Sequence, residues 1–451
     1  MRLSVPWRGT WRGTWLSVVG CASIASQAVA CGRPGAEIAG QPRGEALDRD
    51  DPLTCEGCHP AHYQGWALSM HAYASEDPIF RAMNARGQRD TGGALGDFCV
   101  RCHAPLAVAR GATTDGRNLA DLPAALGGVT CVVCHSAAGA GGASTGLGND
   151  DVMRGPIADP VTTLAHRSVY SPAHDRDRPE AATLCGTCHA VTNGHGLEVE
   201  RTIDEWRTTR YAQPASLRTC GRCHMPETPG LAADVLGAPV RAVHGHAMPG
   251  VDLGAASQMQ RKLVQEMIDP SLSSKLCVVP NASGAQVSVT LTNALVGHAW
   301  PSGATNNRRG WAEVVAYAGG AIAYASGVVG ANESVTASSS PPLLVFGEQL
   351  FDDRGAPTPF MWNAQSARSS LLLPAAADPL QAAQSAAVQI AATGVDRVTA
   401  RVQLRAFDQD VADALVASGD LSRVVASQLP TLTVGATVLE WTADRGAACL
   451  P

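Results

Sequence analysis

The second half of the chain carries a two-residue hydrophobic rhythm. Val287, Val289 and Leu291 alternate with polar neighbours, as do Val398, Ala400, Val402 and Leu404. Successive side chains of a strand point to opposite faces, so this pattern marks strands with one buried side. Residues 312–317, 343–346 and 434–441 add further strands, separated by turn-forming runs such as Ser338-Ser339-Ser340-Pro341-Pro342. Ahead of them the rhythm is helical. Met259, Leu263 and Met267 recur every four residues, Ser257 can cap the helix, and Pro270 stops it. A short helix over residues 411–417 ends at Gly419. These patterns predict a connecting helix within residues 251–275 and an all-β, sandwich-like domain over residues 276–451. Residues 51–250 lack a comparable strand rhythm and read as a mostly helical and irregular domain, making the fold α+β overall.

The first thirty residues follow a third pattern. Arg2, Arg8 and Arg12 precede an uncharged, mostly apolar stretch over residues 15–30. It is too short for a comfortable bilayer span and no second stretch reaches about 18 apolar residues, so it reads as a cleaved export signal followed by a linker over residues 31–50. Ala28-Val29-Ala30-Cys31-Gly32 fits either a plain small-residue cleavage site or a lipoprotein box that leaves Cys31 acylated. Val18-Val19-Gly20-Cys21 also fits a box, behind a shorter apolar run. The expected location is periplasmic, or the outer membrane through a lipid on Cys31, with no transmembrane helix after cleavage. With 45% hydrophobic and 16% charged residues the composition is globular, and a formal charge of -6 without a basic run argues against a nucleic-acid partner.

Fourteen cysteines in an exported chain first suggest disulfides. Their spacing points elsewhere. Ten fall in five units, Cys55-Glu56-Gly57-Cys58-His59, Cys99-Val100-Arg101-Cys102-His103, Cys131-Val132-Val133-Cys134-His135, Cys185-Gly186-Thr187-Cys188-His189 and Cys220-Gly221-Arg222-Cys223-His224. Two thiols three positions apart lie on one face of a helical turn, within reach of two vinyl groups on one edge of a porphyrin. The histidine that follows binds iron from the proximal side. Redox dithiols and zinc ribbons also use Cys-x-x-Cys but need no adjacent histidine. With 13 histidines in 451 residues, one after all five units by chance falls below about one in 10⁷. The cofactor expected is haem c, five copies, attached through Cys55, Cys58, Cys99, Cys102, Cys131, Cys134, Cys185, Cys188, Cys220 and Cys223. The proximal iron ligands are His59, His103, His135, His189 and His224. About 40 residues per haem build no side-chain core, so the macrocycles themselves must serve as core and lie close enough for electron hopping.

Eight further histidines can supply distal ligands. His71, His166, His174, His246 and His298 are the candidates; one of His244 and His246 is expected to bind, and His246 precedes the constrained Met248-Pro249-Gly250 turn. His62 and His195 read as solvated or structural. Met70, Met83, Met153 and Met248 are weaker candidates, since packing is the commoner role of methionine. Cys277 and Cys449 bracket the β-domain and form a plausible staple in an exported protein.

The context Cys55-x-x-Cys58-His59 with Trp66, Ser69 and His71 resembles the cytochrome c-554-like multihaem cytochromes, a likeness running through Thr202-Ile203-Asp204-Glu205-Trp206 to residues 220–226. Gly297-His298-Ala299-Trp300-Pro301-Ser302-Gly303 with Arg308, Arg309 and Trp311 is similar to a β-domain appended to some of them. The resemblance implies stacked haem pairs, bis-histidine ligation at most irons, and His71 as a distal ligand. Five motifs depart from the simplest four-haem pattern, which leaves the pairing of irons with distal histidines open. Relatives include carriers and enzymes of small nitrogen or sulfur species. The expected function is therefore electron transfer between redox protein donors and acceptors, with an oxidoreductase that uses one five-coordinate haem as the alternative. No nucleophile-base pair, phosphate loop or paired carboxylate appears in the C-terminal half.

Overall fold

The computed structural model describes residues 48–138, 147, 152–163, 165–251, 258–378 and 381–451. The export signal, the linker up to residue 47, Cys21, Cys31 and the Ser257 cap lie outside the described residues. Among the described residues no helix is long and apolar enough to cross a membrane.

The core of the C-terminal half lies between two antiparallel sheets, and Glu348–Phe351, Pro357–Thr358 and Ser366–Ser369 form a smaller three-stranded one. Strands β3 (Ser273–Asn281), β4 (Gly284–Thr292), β8 (Ala383–Ile390) and β11 (Ala448–Leu450) form a four-stranded sheet in the order β8-β4-β3-β11. Facing it, β5 (Arg309–Ala318), β6 (Ala321–Ser326), β9 (Val395–Arg405) and β10 (Leu432–Thr442) run in the order β6-β5-β9-β10, and β7 (Val345–Phe346) also pairs with β5. The alternating positions read from the sequence face inward: Val287, Val289, Leu291, Val398, Ala400, Val402 and Leu404 all join the core with Trp300, Phe346 and Trp441. β8 carried no legible signal because its alternating residues are mostly Ala, Ser and Gln, and only Ile390 is fully buried. Cys449 stands opposite Cys277 across the β11–β3 pair, and the two form a disulfide.

The connecting helix is present but buries a different stripe. It runs Gln258–Ile268 and turns Gln260, Val264 and Ile268 to the protein interior, while Met259 is 51% exposed. Val264 and Ile268 pack on the β-core, and Leu263 and Met267 face a large cavity on the other side. A helix wedged between two apolar surfaces needs two adjacent stripes, and the sequence pattern revealed one of them.

The N-terminal half is helical and irregular, with short helices α1 (Pro52–Glu56), α2 (Pro78–Asp90), α3 (Val100–His103), α4 (Cys131–His135), α5 (Pro179–Gly186) and α6 (Cys220–His224). Its apolar clusters are small. Phe80, Val100, Ala104, Ala107 and Leu119 form one, and Ala182, Ile203 and Trp206 another. A third cluster joins the halves, where Ile79, Ala82 and Met83 of α2 meet Phe360, Trp362 and α8 (Gln409–Ala417) through Val411 and Leu415. Asp77 caps α2, accepting from the backbone N–H groups of Ile79 and Phe80 at 2.9 and 3.1 Å. Loss of such a cap costs about 0.5–2 kcal/mol. Asp77→Ala is therefore expected to lower the unfolding free energy by about that amount, read from the denaturant midpoint at unchanged slope.

Candidate haem-binding cavity

The five Cys-x-x-Cys-His units each make about one helical turn. The backbone N–H of His59 donates to the Cys55 carbonyl at 2.8 Å, that of His103 to Cys99 at 3.2 Å and that of His189 to Cys185 at 3.1 Å. This spacing closes the turn; in motif one Cys58 is disulfide-bonded, whereas Cys55 and both cysteines of each other motif are free thiols. All ten cysteines and all five histidines line one connected cavity of about 4270 Å³. Typical small-molecule sites span ~300–1,000 Å³, so this space suits several large groups rather than one.

The motifs approach one another in a branched series. The Cys55 thiol lies in the electrostatic neighbourhood of Cys131, Cys102 in that of Cys188, and Cys185 in that of Cys220. Cys134 lies within electrostatic reach of Cys185 and Cys188. Motif one thus neighbours motif three, and motif four neighbours motifs two, three and five.

Four of the candidate distal histidines face motif histidines at one recurring distance. Ring centroids are 6.2 Å apart for His59–His166, 6.2 Å for His135–His246, 6.4 Å for His71–His189 and 6.4 Å for His224–His298. Two imidazoles bound on opposite sides of one metal, each with its nitrogen ~2.0–2.1 Å away, put their centroids a little over ~6 Å apart. The rings are also oriented for it. Nδ1 faces Ala232 O in His59 (2.7 Å), Ala74 O in His103 (3.0 Å), Arg154 O in His135 (2.6 Å) and Glu200 Oε1 in His189 (2.9 Å). On the distal side Nδ1 meets Met248 Sδ in His71 (2.9 Å), Ser168 Oγ in His166 (3.2 Å), His244 O in His246 (2.9 Å) and Ala299 O in His298 (2.9 Å). A ligand histidine donates its other N–H in this way, which fixes the tautomer and leaves Nε2 for the metal. Burial pulls His71 and His224 down to about 4 and His246 down to about 3, each reinforced by nearby histidines, so these rings are neutral as ligands must be. His189 differs. Burial lowers it, but hydrogen bonding and charge from Glu200 outweigh that and raise it to about 9.

The structure does not bring every candidate together in this way. His174 stacks 5.6 Å from His135, but its Nε2 donates to the Cys134 carbonyl at 2.8 Å and His246 holds the 6.2 Å position instead. His195 is structural, as its sequence context suggested: Nε2 meets Trp362 O at 3.2 Å and Nδ1 meets the Gln365 amide at 3.1 Å. His62 is half-buried in the cavity, 4.8 Å from His246, rather than solvated. Against the His103 ring lies Phe80, stacked at 3.9 Å, and no histidine forms a 6 Å pair with it among the described residues. Met83 packs in the α2–α8 cluster, whereas Met70 and Met153 line the cavity.

Backbone packing holds the distal rings. Gly128, at φ +65°, lets the segment before motif three press on the turn that carries His71; a Cβ there would collide with the His71 and Ala72 carbonyls. Val129 N–H then donates to His71 O at 2.8 Å, and Trp66 Nε1 to Val129 O at 2.8 Å. His298 comes from the β-half. Its loop is anchored by reciprocal Trp300–Leu372 backbone bonds at 2.9 Å, by Asn293 donating to His298 O at 2.9 Å, and by Ala299 N–H on Glu205 Oε2 at 3.0 Å. Glu200 had no sequence signal, since an acidic residue eleven positions past a motif reads as surface.

A family profile described as "Cytochrome c554 and c-prime" matches residues 54–136. The crystal structure of a penta-heme cytochrome c552 from Thermochromatium tepidum is similar in fold, with TM-score 0.65 at 22% sequence identity, covering 88% of this chain and 100% of that one. No curated protein sequence matches the chain. The likeness to multihaem c-type cytochromes read from the motifs therefore holds, with a β-half following the haem-binding part, and it supports haem-based redox chemistry or electron transfer.

Proposed function

We propose that this chain is an exported cytochrome that carries five covalently attached haems and passes electrons between redox protein partners. The observation that carries the reading is the set of four imidazole pairs at 6.2–6.4 Å, each with one member from a Cys-x-x-Cys-His unit and all on one cavity. Each haem iron supplies one-electron exchange between its ferric and ferrous states. The protein's part is to fix ligands, spacing and polarity: imidazoles on both faces favour a low-spin iron that changes little between oxidation states. With haem held at each motif, the closeness of motif one to motif three, and of motif four to motifs two, three and five, would supply a branched route for electrons. We assign His71 to the iron of motif four, His166 to motif one, His246 to motif three and His298 to motif five. Residues 51–250 act as the haem-binding domain and residues 276–451 as a β-domain that contributes one ligand. The site is periplasmic or at the outer membrane, with acylation of Cys31 as the attachment to test.

A second reading attaches to the iron of Cys99 and Cys102. With no histidine opposite His103 among the described residues, this iron would be five-coordinate and open to a small nitrogen or sulfur species, which would make the chain an oxidoreductase. One experiment tests both readings. Holo-protein matured in a host that attaches haem c is expected to hold five haems per chain. Its oxidised electron paramagnetic resonance spectrum is expected to contain four low-spin irons and one high-spin iron. A stoichiometry far below five overturns the first reading, and five low-spin irons overturn the second.

A further inference from the structure

The partners of the motif histidines are not chemically alike. His59, His103 and His135 turn Nδ1 to backbone carbonyls, which are neutral acceptors. His189 turns Nδ1 to the carboxylate of Glu200 at 2.9 Å. A small hairpin builds this contact. Strand β1 (Val191–Thr192) leaves motif four directly, turns through Gly196 at φ +82°, and returns as β2 (Glu198–Glu200), whose register sets Glu200 opposite Val191. The Glu200 side chain is only 19% exposed, so water screens its charge poorly. On the opposite ring, His71 Nδ1 faces the Met248 thioether, a weak acceptor that polarises its donor little.

A charged acceptor on Nδ1 draws the ring proton towards itself and raises the electron density that Nε2 offers the iron. The ferric state gains more from this than the ferrous state, so the reduction potential falls. We propose that Glu200 is a positioning residue that gives the motif-four iron the lowest potential of the five. This rests on the reading above that haem is attached at Cys185 and Cys188. Motif four neighbours motifs two, three and five, so its iron is the shared node of the proposed set. A low potential at that node makes it the last centre to be reduced and the first to give its electron away. It thereby divides the set into an entry group, motifs one and three, and two exit branches.

The test is a potentiometric titration of intact holo-protein followed by electron paramagnetic resonance. The ring planes of His71 and His189 are tilted by 55°, whereas the other three pairs lie at 26°, 22° and 20°. The angle between axial ligand planes governs the anisotropy of a low-spin ferric signal, so this iron has a signal of its own. In the wild type that signal should be the last to disappear on reduction. Glu200→Gln keeps an acceptor oxygen and removes the charge; it should raise the midpoint of that signal while shifting the other four clearly less. Glu200→Asp should bring the midpoint back towards the wild-type value. A uniform shift of all five midpoints, or none, overturns the inference with the haem reading intact. Wild-type protein without haem at motif four overturns both.

Discussion

His298→Ala is expected to leave all five haems attached and to convert one low-spin iron to high spin. The proposed thioether links lie in residues 220–224, untouched by the change, so a haem-stained gel and the haem count per chain should not alter. The proposed iron of motif five, however, would lose the ring set opposite His224 at 6.4 Å. The high-spin signal should rise by one haem equivalent, with a charge-transfer band in the visible spectrum to match. His298→Met offers a thioether in the same place and should restore a low-spin iron at higher potential, as a His/Met pair does. Unchanged low-spin content in the alanine variant would remove His298 from the ligand set. Loss of haem from the alanine variant but not from the methionine variant would show that the ring is needed for assembly rather than ligation.

Removal of the Cys277–Cys449 link should have the second large effect. The two residues lie 172 positions apart, and the bond holds β11 on the open edge of β3. A cross-link of this span restricts the unfolded chain strongly, and losing a native disulfide costs about 2–5 kcal/mol. Cys277→Ser with Cys449→Ser should therefore lower the denaturant midpoint of the β-half at unchanged slope, followed by far-ultraviolet circular dichroism. The Soret spectrum should hold until that transition. An unchanged midpoint would mean that strand packing alone retains β11.

What could be read in advance divides along physical lines. The haem attachment units were legible because the chemistry requires contiguous residues, and the strands around Val287 and Val402 because a half-buried strand alternates by geometry. Distal ligands would come from distant segments, so the sequence offers only candidates. His71, His166, His246 and His298 stand opposite motif histidines, whereas His174, an equal candidate by sequence, turns its Nε2 to the Cys134 carbonyl. Glu200 was invisible for the same reason: its role depends on a two-strand hairpin too short to leave a pattern. The helix Gln258–Ile268 shows the opposite failure, a clear pattern with the wrong partner, because Leu263 and Met267 face the cavity and Val264 and Ile268 the sheets.

The pairing of rings has a topological consequence. Motif one takes its partner from beyond motif three, motif three from beyond motif five, motif four from just after motif one, and motif five from the β-half. The segments are plaited, so the molecule cannot be shortened one haem at a time from its C-terminal end. A chain ending near residue 240 would keep all five attachment units yet unligate motifs three and five together, skipping the iron between them. Such a plait also argues that haem-bearing segments were not added as self-sufficient modules, because none of them closes on itself.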